Sequence, residues 1–249
     1  MLLLHGLASQ RRFWNLVVPH LAGLPVCALD QRGHGDSDKP DEGYDLPTVA
    51  RDAATALDAL GWSRAVVVGH SWGAAVACTL AAEHPERVLA VVAIDGGLGS
   101  PLETGKDREA LRERFAPPRL AEPPDRLRAV LGSGKDWWSD AVADAVLPIF
   151  EVHDDGLARA KLTFERHMMT FDGLLDYDAA SVLPRIAAPF WAVTAQVEDR
   201  LERAMDLLPR PRGIRLRNAV HDVPLQWPAL VAGAVRAAAD EAAAAEGRA

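Results

Sequence analysis

Residues 66–77 read VVVGHSWGAAVA: an apolar run, then Gly-His-Ser-Trp-Gly, then a run of small residues. Consecutive β-branched residues suit a strand buried on both faces, and the alanines suit a helix lying close against it. Between the two, the chain must turn within a few residues. So sharp a turn forces its central residue, Ser71, into strained backbone angles, and it leaves no room for side chains two positions away. Gly69 and Gly73 meet that need. The spacing predicts a serine held up at the carboxyl end of a strand, with a helix N-terminus beneath it.

Working outward, short apolar runs alternate with helical patterns. Candidate strands are 1–4, 25–29, 65–69, 88–94, 189–194 and 213–217. Phe13, Leu16, Val17, His20 and Leu21 form one helical stripe. Asp45 can cap a second helix with Pro47 in its first turn and Val49, Ala53, Ala56, Leu57 and Leu60 on its buried face. Leu201, Ala204, Met205 and Leu208 repeat the pattern. This alternation predicts an α/β fold, with a mostly parallel sheet flanked by helices. Between about 99 and 185 it breaks. Prolines interrupt helical text there and no convincing strand is seen, which predicts a helical lid over the carboxyl edge of the sheet. The expected organisation is a core of 1–98 and 186–249 with a cap of 99–185.

The chain has 249 residues, 49% hydrophobic and 25% charged, with a formal charge of −8. That charge argues against nucleic acid or an anionic membrane as partner. Two cysteines, no apolar run of membrane-spanning length and no basic-flanked leader make a cytoplasmic location the expectation. No histidine pair has metal-ligand spacing, so neither metal nor other cofactor is expected.

Three segments together resemble the α/β-hydrolase fold, over nearly the whole length: LLLHGLASQRRFW (2–14), LDQRGHGDSDKP (29–40) and VVVGHSWGA (66–74). The resemblance implies a serine hydrolase, esterase-like or lactonase-like, with Ser71 as nucleophile. By position, the backbone N–H groups of Leu7 and Trp72 would form the oxyanion hole. His5 would shape its loop, and Asp30, Arg32, Gly33 and Gly35 would build a structural turn. The late histidine such enzymes use as base corresponds to His221 in RNAVHDVPLQWP (217–228), although this chain has Val220 where relatives usually have Gly.

The third triad member is less plainly written. In most relatives the acid follows the strand after the lid; here that stretch, 195–199, lacks the usual glycine and carries Glu198 and Asp199 where a helix begins. Carboxylates are favoured in a first helical turn anyway. VLAVVAIDGG (88–97) offers another carboxylate, Asp95, at the tip of an apolar strand, where a lone charge is costly unless paired. A minority of relatives place the acid there, and Asp95 is the preferred reading. The substrate expected is a small, largely apolar ester or lactone, given Trp72, Trp137, Trp138 and Trp191. A C–C bond hydrolase and a non-catalytic small-ligand receptor on the same fold stay open. Relatives begin with two strands that this chain lacks, which leaves 25–29 as an edge; a truncated start or a homodimer would account for it.

Overall fold

Short runs of Val, Leu, Ile and Ala, buried on both sides, build the sheet, and helices with one apolar face close over it. The computed structural model describes residues 1–195 and 198–247, with the side chains of 198–200 and 246 outside that description. β1 (Leu2–Leu4) and β2 (Cys27–Leu29) lead to α1 (Leu46–Ala59), β3 (Ala65–His70), α2 (Trp72–Glu83) and β4 (Val88–Ile94). After β4 come α3 (Arg108–Phe115), α4 (Pro124–Gly132), α5 (Asp140–Val146), β5 (Phe150–Val152), β6 (Ala158–Ala160), α6 (Phe164–Leu175) and α7 (Ala179–Val182). The chain then returns through β7 (Phe190–Thr194), α8 (Glu198–Asp206), β8 (Pro211–Arg215), α9 (Val223–Gln226) and α10 (Pro228–Glu246).

Six strands form one sheet in the order β2-β1-β3-β4-β7-β8, and every pairing is parallel. Because side chains alternate along a strand, one face takes Leu2, Leu4, Val67, Val91 and Ala93 and packs on α1 and α2. The opposite face takes Leu3, Val66, Val68, Val92 and Ile94 and packs on α10. Asp45 caps α1 by accepting from the Thr48 N–H. Strand β2 lies at an edge, as its place in the sequence predicts. Among the described residues no helix is long and apolar enough to cross a membrane.

Leu80 of α2 is wholly buried in this core. Leu80→Ala is expected to lower unfolding free energy by about 2–5 kcal/mol, read from a denaturant titration.

Four details differ from the sequence reading. Residues 11–21 form two 3-10 turns, Arg11–Trp14 and Val18–Leu21, rather than one helix. Pro19 has no N–H and obstructs the preceding helical turn, while Phe13, Val17 and Leu21 stay buried. Leu60 is 40% exposed because α1 ends one residue before it. The stretch 99–185, expected to be a helical lid, is not all helical: β5 and β6 pair antiparallel around a loop in which Gly156 has φ +79°. The last strand spans 211–215, not 213–217, and it leads to Asn218, whose φ of +63° redirects the chain.

Candidate active site

The turn between β3 and α2 has the geometry its glycines predict. Ser71 adopts φ 54°, ψ −119°, a conformation that costs a non-glycine residue about 1–3 kcal/mol. Its N–H donates to the Ile94 carbonyl at 2.9 Å, which ties the turn to β4. A Cβ at position 69 would lie 2.2 Å from the Gly73 carbonyl oxygen, and one at 73 would lie 2.4 Å from those of Leu4 and His5. The elbow therefore requires both glycines, and α2, buried along nearly its whole length, holds the strain in place.

Asp95 leaves the end of β4 with φ +46°, and its side chain is almost fully buried. One oxygen, Oδ1, accepts from the Thr194 hydroxyl at 3.0 Å and from the Ala195 N–H at 2.9 Å. The other, Oδ2, lies 2.6 Å from His221 Nδ1. His221 Nε2 in turn lies 2.9 Å from Ser71 Oγ. Gly96 lets these elements close up, since a Cβ there would fall 2.2 Å from the Ser71 carbonyl oxygen.

Burial alone would push the Asp95 carboxyl up, but the hydrogen bond and charge of His221, with the Ala195 and Thr194 donors, hold it below its ordinary value. Burial alone would push His221 down, and the Asp95 carboxylate more than reverses that, leaving the imidazole above its ordinary value. The pair is thus arranged to keep a carboxylate beside a ring that gains a proton. Such a chain can take a proton from Ser71 and hold the charge that results.

His221 sits on an exposed loop that is fixed at two points. The Val220 N–H donates to Gln226 Oε1 at 2.9 Å, and His70 Nε2–H donates to the His221 carbonyl at 2.8 Å. His70 stacks on Phe13, and burial drives its pKa down to about 3, so it is a neutral brace rather than a base. His5 and His34 are likewise held neutral by burial, at about 4 and about 3. Each ring donates to a backbone carbonyl and accepts a backbone N–H, His5 from Gln31 and His34 from Ala8, and both shape the loop after β1. Asp30 accepts from the Arg11 and Asp36 N–H groups, a turn-building role.

That loop passes close to the serine: a Cβ on Gly6 would be 3.1 Å from the Ser71 Cβ. Among the described residues, the backbone N–H groups of Leu7 and Trp72 donate to no protein acceptor. Both border the serine, one from the loop and one from the first turn of α2. Position 198 opens α8, and the side chains of Glu198 and Asp199 lie outside the described residues.

Two chambers meet at Ser71, Leu7 and His221. The larger, about 540 Å³, runs beneath α3 and α6 past Leu111, Phe115 and Phe171. The smaller, about 160 Å³, is closed by Trp137 and Trp138, with the Lys135 ammonium within 5.4 Å of both ring centres. Two other tryptophans expected at the pocket are elsewhere. The Trp72 ring is fully buried against His34, and Trp191 donates its N–H to Glu241. His167 lines the larger chamber and donates to the Phe115 carbonyl, whereas His153 is exposed. Thr194, Lys106 and Arg114 were not singled out from sequence. Thr194 is the last residue of β7, level with the tip of β4, and that strand neighbourhood is the signal that could mark it in the sequence.

The family model described as alpha/beta hydrolase fold matches residues 1–117. A solved structure, E-2-(acetamidomethylene)succinate hydrolase, superposes with a TM-score of 0.84 over 96% of this chain and 91% of that one, at 27% identity. The chain has the α/β-hydrolase fold. Two relatives from Mycobacterium tuberculosis (strain ATCC 25618 / H37Rv) align with this α/β-hydrolase-fold chain in sequence. Epoxide hydrolase B is 35% identical over 159 residues, 61% of this chain and 42% of that protein. Lipase LipV is 34% identical over 149 residues, 59% of this chain and 55% of that protein. The chain thus spans about half the length of these relatives.

Proposed function

We propose that this protein is a serine hydrolase that cleaves a carboxylic ester or lactone through an acyl-enzyme. The observation that carries the reading is the unbroken Ser71–His221–Asp95 chain, with contacts of 2.9 and 2.6 Å. In this scheme Ser71 Oγ attacks the carbonyl carbon while its proton passes to His221 Nε2. The Leu7 and Trp72 N–H groups receive the oxyanion. The tetrahedral adduct collapses, and the alkoxide leaves with the proton from His221. Water then gives a proton to His221 and attacks the acyl carbon; as that second adduct collapses, His221 returns the proton to Ser71 Oγ, releasing the acid and free Ser71. Residues 99–185 serve as the lid that shields these steps from bulk water.

The similarity to a protein named lipase agrees with this chemistry; the similarity to one named epoxide hydrolase raises another. Serine adding to an epoxide carbon would form an ether, which water at this site has no means to cleave. Serine adding to a carbonyl forms an ester, which it can hydrolyse. The side chain at position 71 therefore favours carbonyl substrates. Wild-type protein is expected to be labelled by a fluorophosphonate and to turn over aryl esters. No labelling and no turnover would support a ligand receptor instead, and turnover of styrene oxide alone would overturn the carbonyl reading.

The raised pKa of His221 sets a pH dependence. The base works only when neutral, so kcat/KM for an aryl ester should rise with pH through a single-proton limb centred above 6.5. Removing the carboxylate charge in Asp95→Asn leaves burial, which lowers the pKa, so the limb of the residual activity should move to lower pH. A wild-type limb below 6.5 would contradict the coupling of His221 to Asp95.

A further inference from the structure

The larger chamber has a charge pattern that the proposed reaction does not use. Its walls are apolar where Leu111, Phe115 and Phe171 face it, yet Lys106 and Arg114 also line it. Neither cation has an ion-pair partner among the described residues. The other arginines of α3 behave differently. Arg108 pairs with Asp176 and Asp172, and Arg112 pairs with Asp172, which pins α3 to α6. Arg114, two residues beyond Arg112 and lining the chamber, pairs with no carboxylate among the described residues; its guanidinium lies 5.7 Å from the centre of the Phe115 ring, which lines the same chamber.

Two carboxylates, Asp95 in the lining and Glu103 in the loop beside it, are already engaged. Asp95 is the one acidic residue of the lining, and its oxygens are taken by His221, Thr194 and Ala195. Glu103 turns back to accept from the Ser100 N–H at 2.7 Å, closing a capping box. His167 adds no charge, because burial lowers its pKa. Two cations without a carboxylate partner among the described residues therefore line this chamber, in a protein whose overall charge is −8. The long-range field of such a protein repels anions, so an anion here must be held by local contacts.

We infer that the larger chamber binds the acyl part of a substrate that ends in a carboxylate, with Arg114 and Lys106 holding that carboxylate and the apolar wall holding the chain between. The preferred substrates are then monoesters of dicarboxylic acids, or lactones bearing a distal carboxylate. This rests on the serine-hydrolase reading and narrows it. Arg114 offers the fork of donors that matches a carboxylate, and Lys106 adds a mobile second charge.

The test compares a monoaryl adipate with its neutral isostere, in which an isopropyl group replaces the carboxylate. For wild-type protein the kcat/KM ratio should favour the anionic ester by about tenfold or more, the range for one charge-assisted hydrogen bond. In Arg114→Gln and Lys106→Gln that ratio should fall toward one, and in Arg114→Glu it should invert. Arg108→Gln, on the same helix but outside the chamber, should keep the wild-type ratio. About 1 M salt should lower the wild-type ratio, because exposed charges are screened. Turnover of both esters at equal kcat/KM, unaffected by Arg114→Glu, overturns the carboxylate site and leaves the serine hydrolase standing. No turnover of either ester and no fluorophosphonate labelling sinks the hydrolase reading itself.

Discussion

Ser71→Ala is expected to lower kcat for an aryl ester by roughly 10⁴–10⁶ and to abolish fluorophosphonate labelling, with the fold intact. In the proposed mechanism the hydroxyl oxygen forms the acyl-enzyme, and without it the oxygen nucleophile left to His221 is water. Alanine keeps the Cβ, so the elbow at 69–73 retains the shape that its glycines permit. The backbone donors at Leu7 and Trp72 also stay, and they supply whatever residual rate remains. Circular dichroism and a thermal melt alongside the kinetics separate lost chemistry from lost structure. A folded Ser71→Ala protein with near wild-type kcat would end the nucleophile assignment.

Asp95→Asn should cost about 10⁴ in kcat, through hydrogen-bond direction more than through lost charge. In the wild type Oδ1 accepts from Thr194 and Ala195 while Oδ2 faces His221 Nδ1. Asparagine can serve the first two donors only with its carbonyl oxygen, which turns its amide N–H₂ toward His221. Nδ1 must then accept, so the ring proton moves to Nε2 and points at Ser71. A ring in that tautomer cannot receive the serine proton. Glu198→Gln, measured in parallel, is expected to leave kcat within about twofold, since the partner of Nδ1 is already Asp95. Near-full kcat in folded Asp95→Asn would remove Asp95 from the mechanism.

Asp95 was legible because a charge at the end of a seven-residue apolar strand has no cheap explanation except a partner. Ser71 was legible because the glycines around it are dictated by backbone contact, which leaves a local signature. The stretch 99–185 is less legible. The hairpin at 150–160 has three-residue strands, too short for alternation to register, and its turn text reads as a loop. The chamber cations stayed hidden for another reason. Whether Arg112 or Arg114 faces the cavity depends on how α3 docks on Asp172 of α6, 60 residues away in sequence. Trp72 and Trp191 misled because a tryptophan near a motif need not point its ring at the site.

The proposed nucleophile and acid, Ser71 and Asp95, grow from the tips of β3 and β4, neighbouring strands at the centre of the sheet, whereas the proposed base, His221, rides on an exposed loop at its edge. The two groups that must not move are therefore anchored in the part of the protein that opens last. The proposed base is held by its carbonyl to His70 and its ring to Asp95 and Ser71, and its neighbour Val220 is held to Gln226. Opening that loop would switch the machinery off while the core stays folded, and reclosing it needs no refolding. Inactivation by mild heat or denaturant then begins as a reversible local event, centred on residues 216–222.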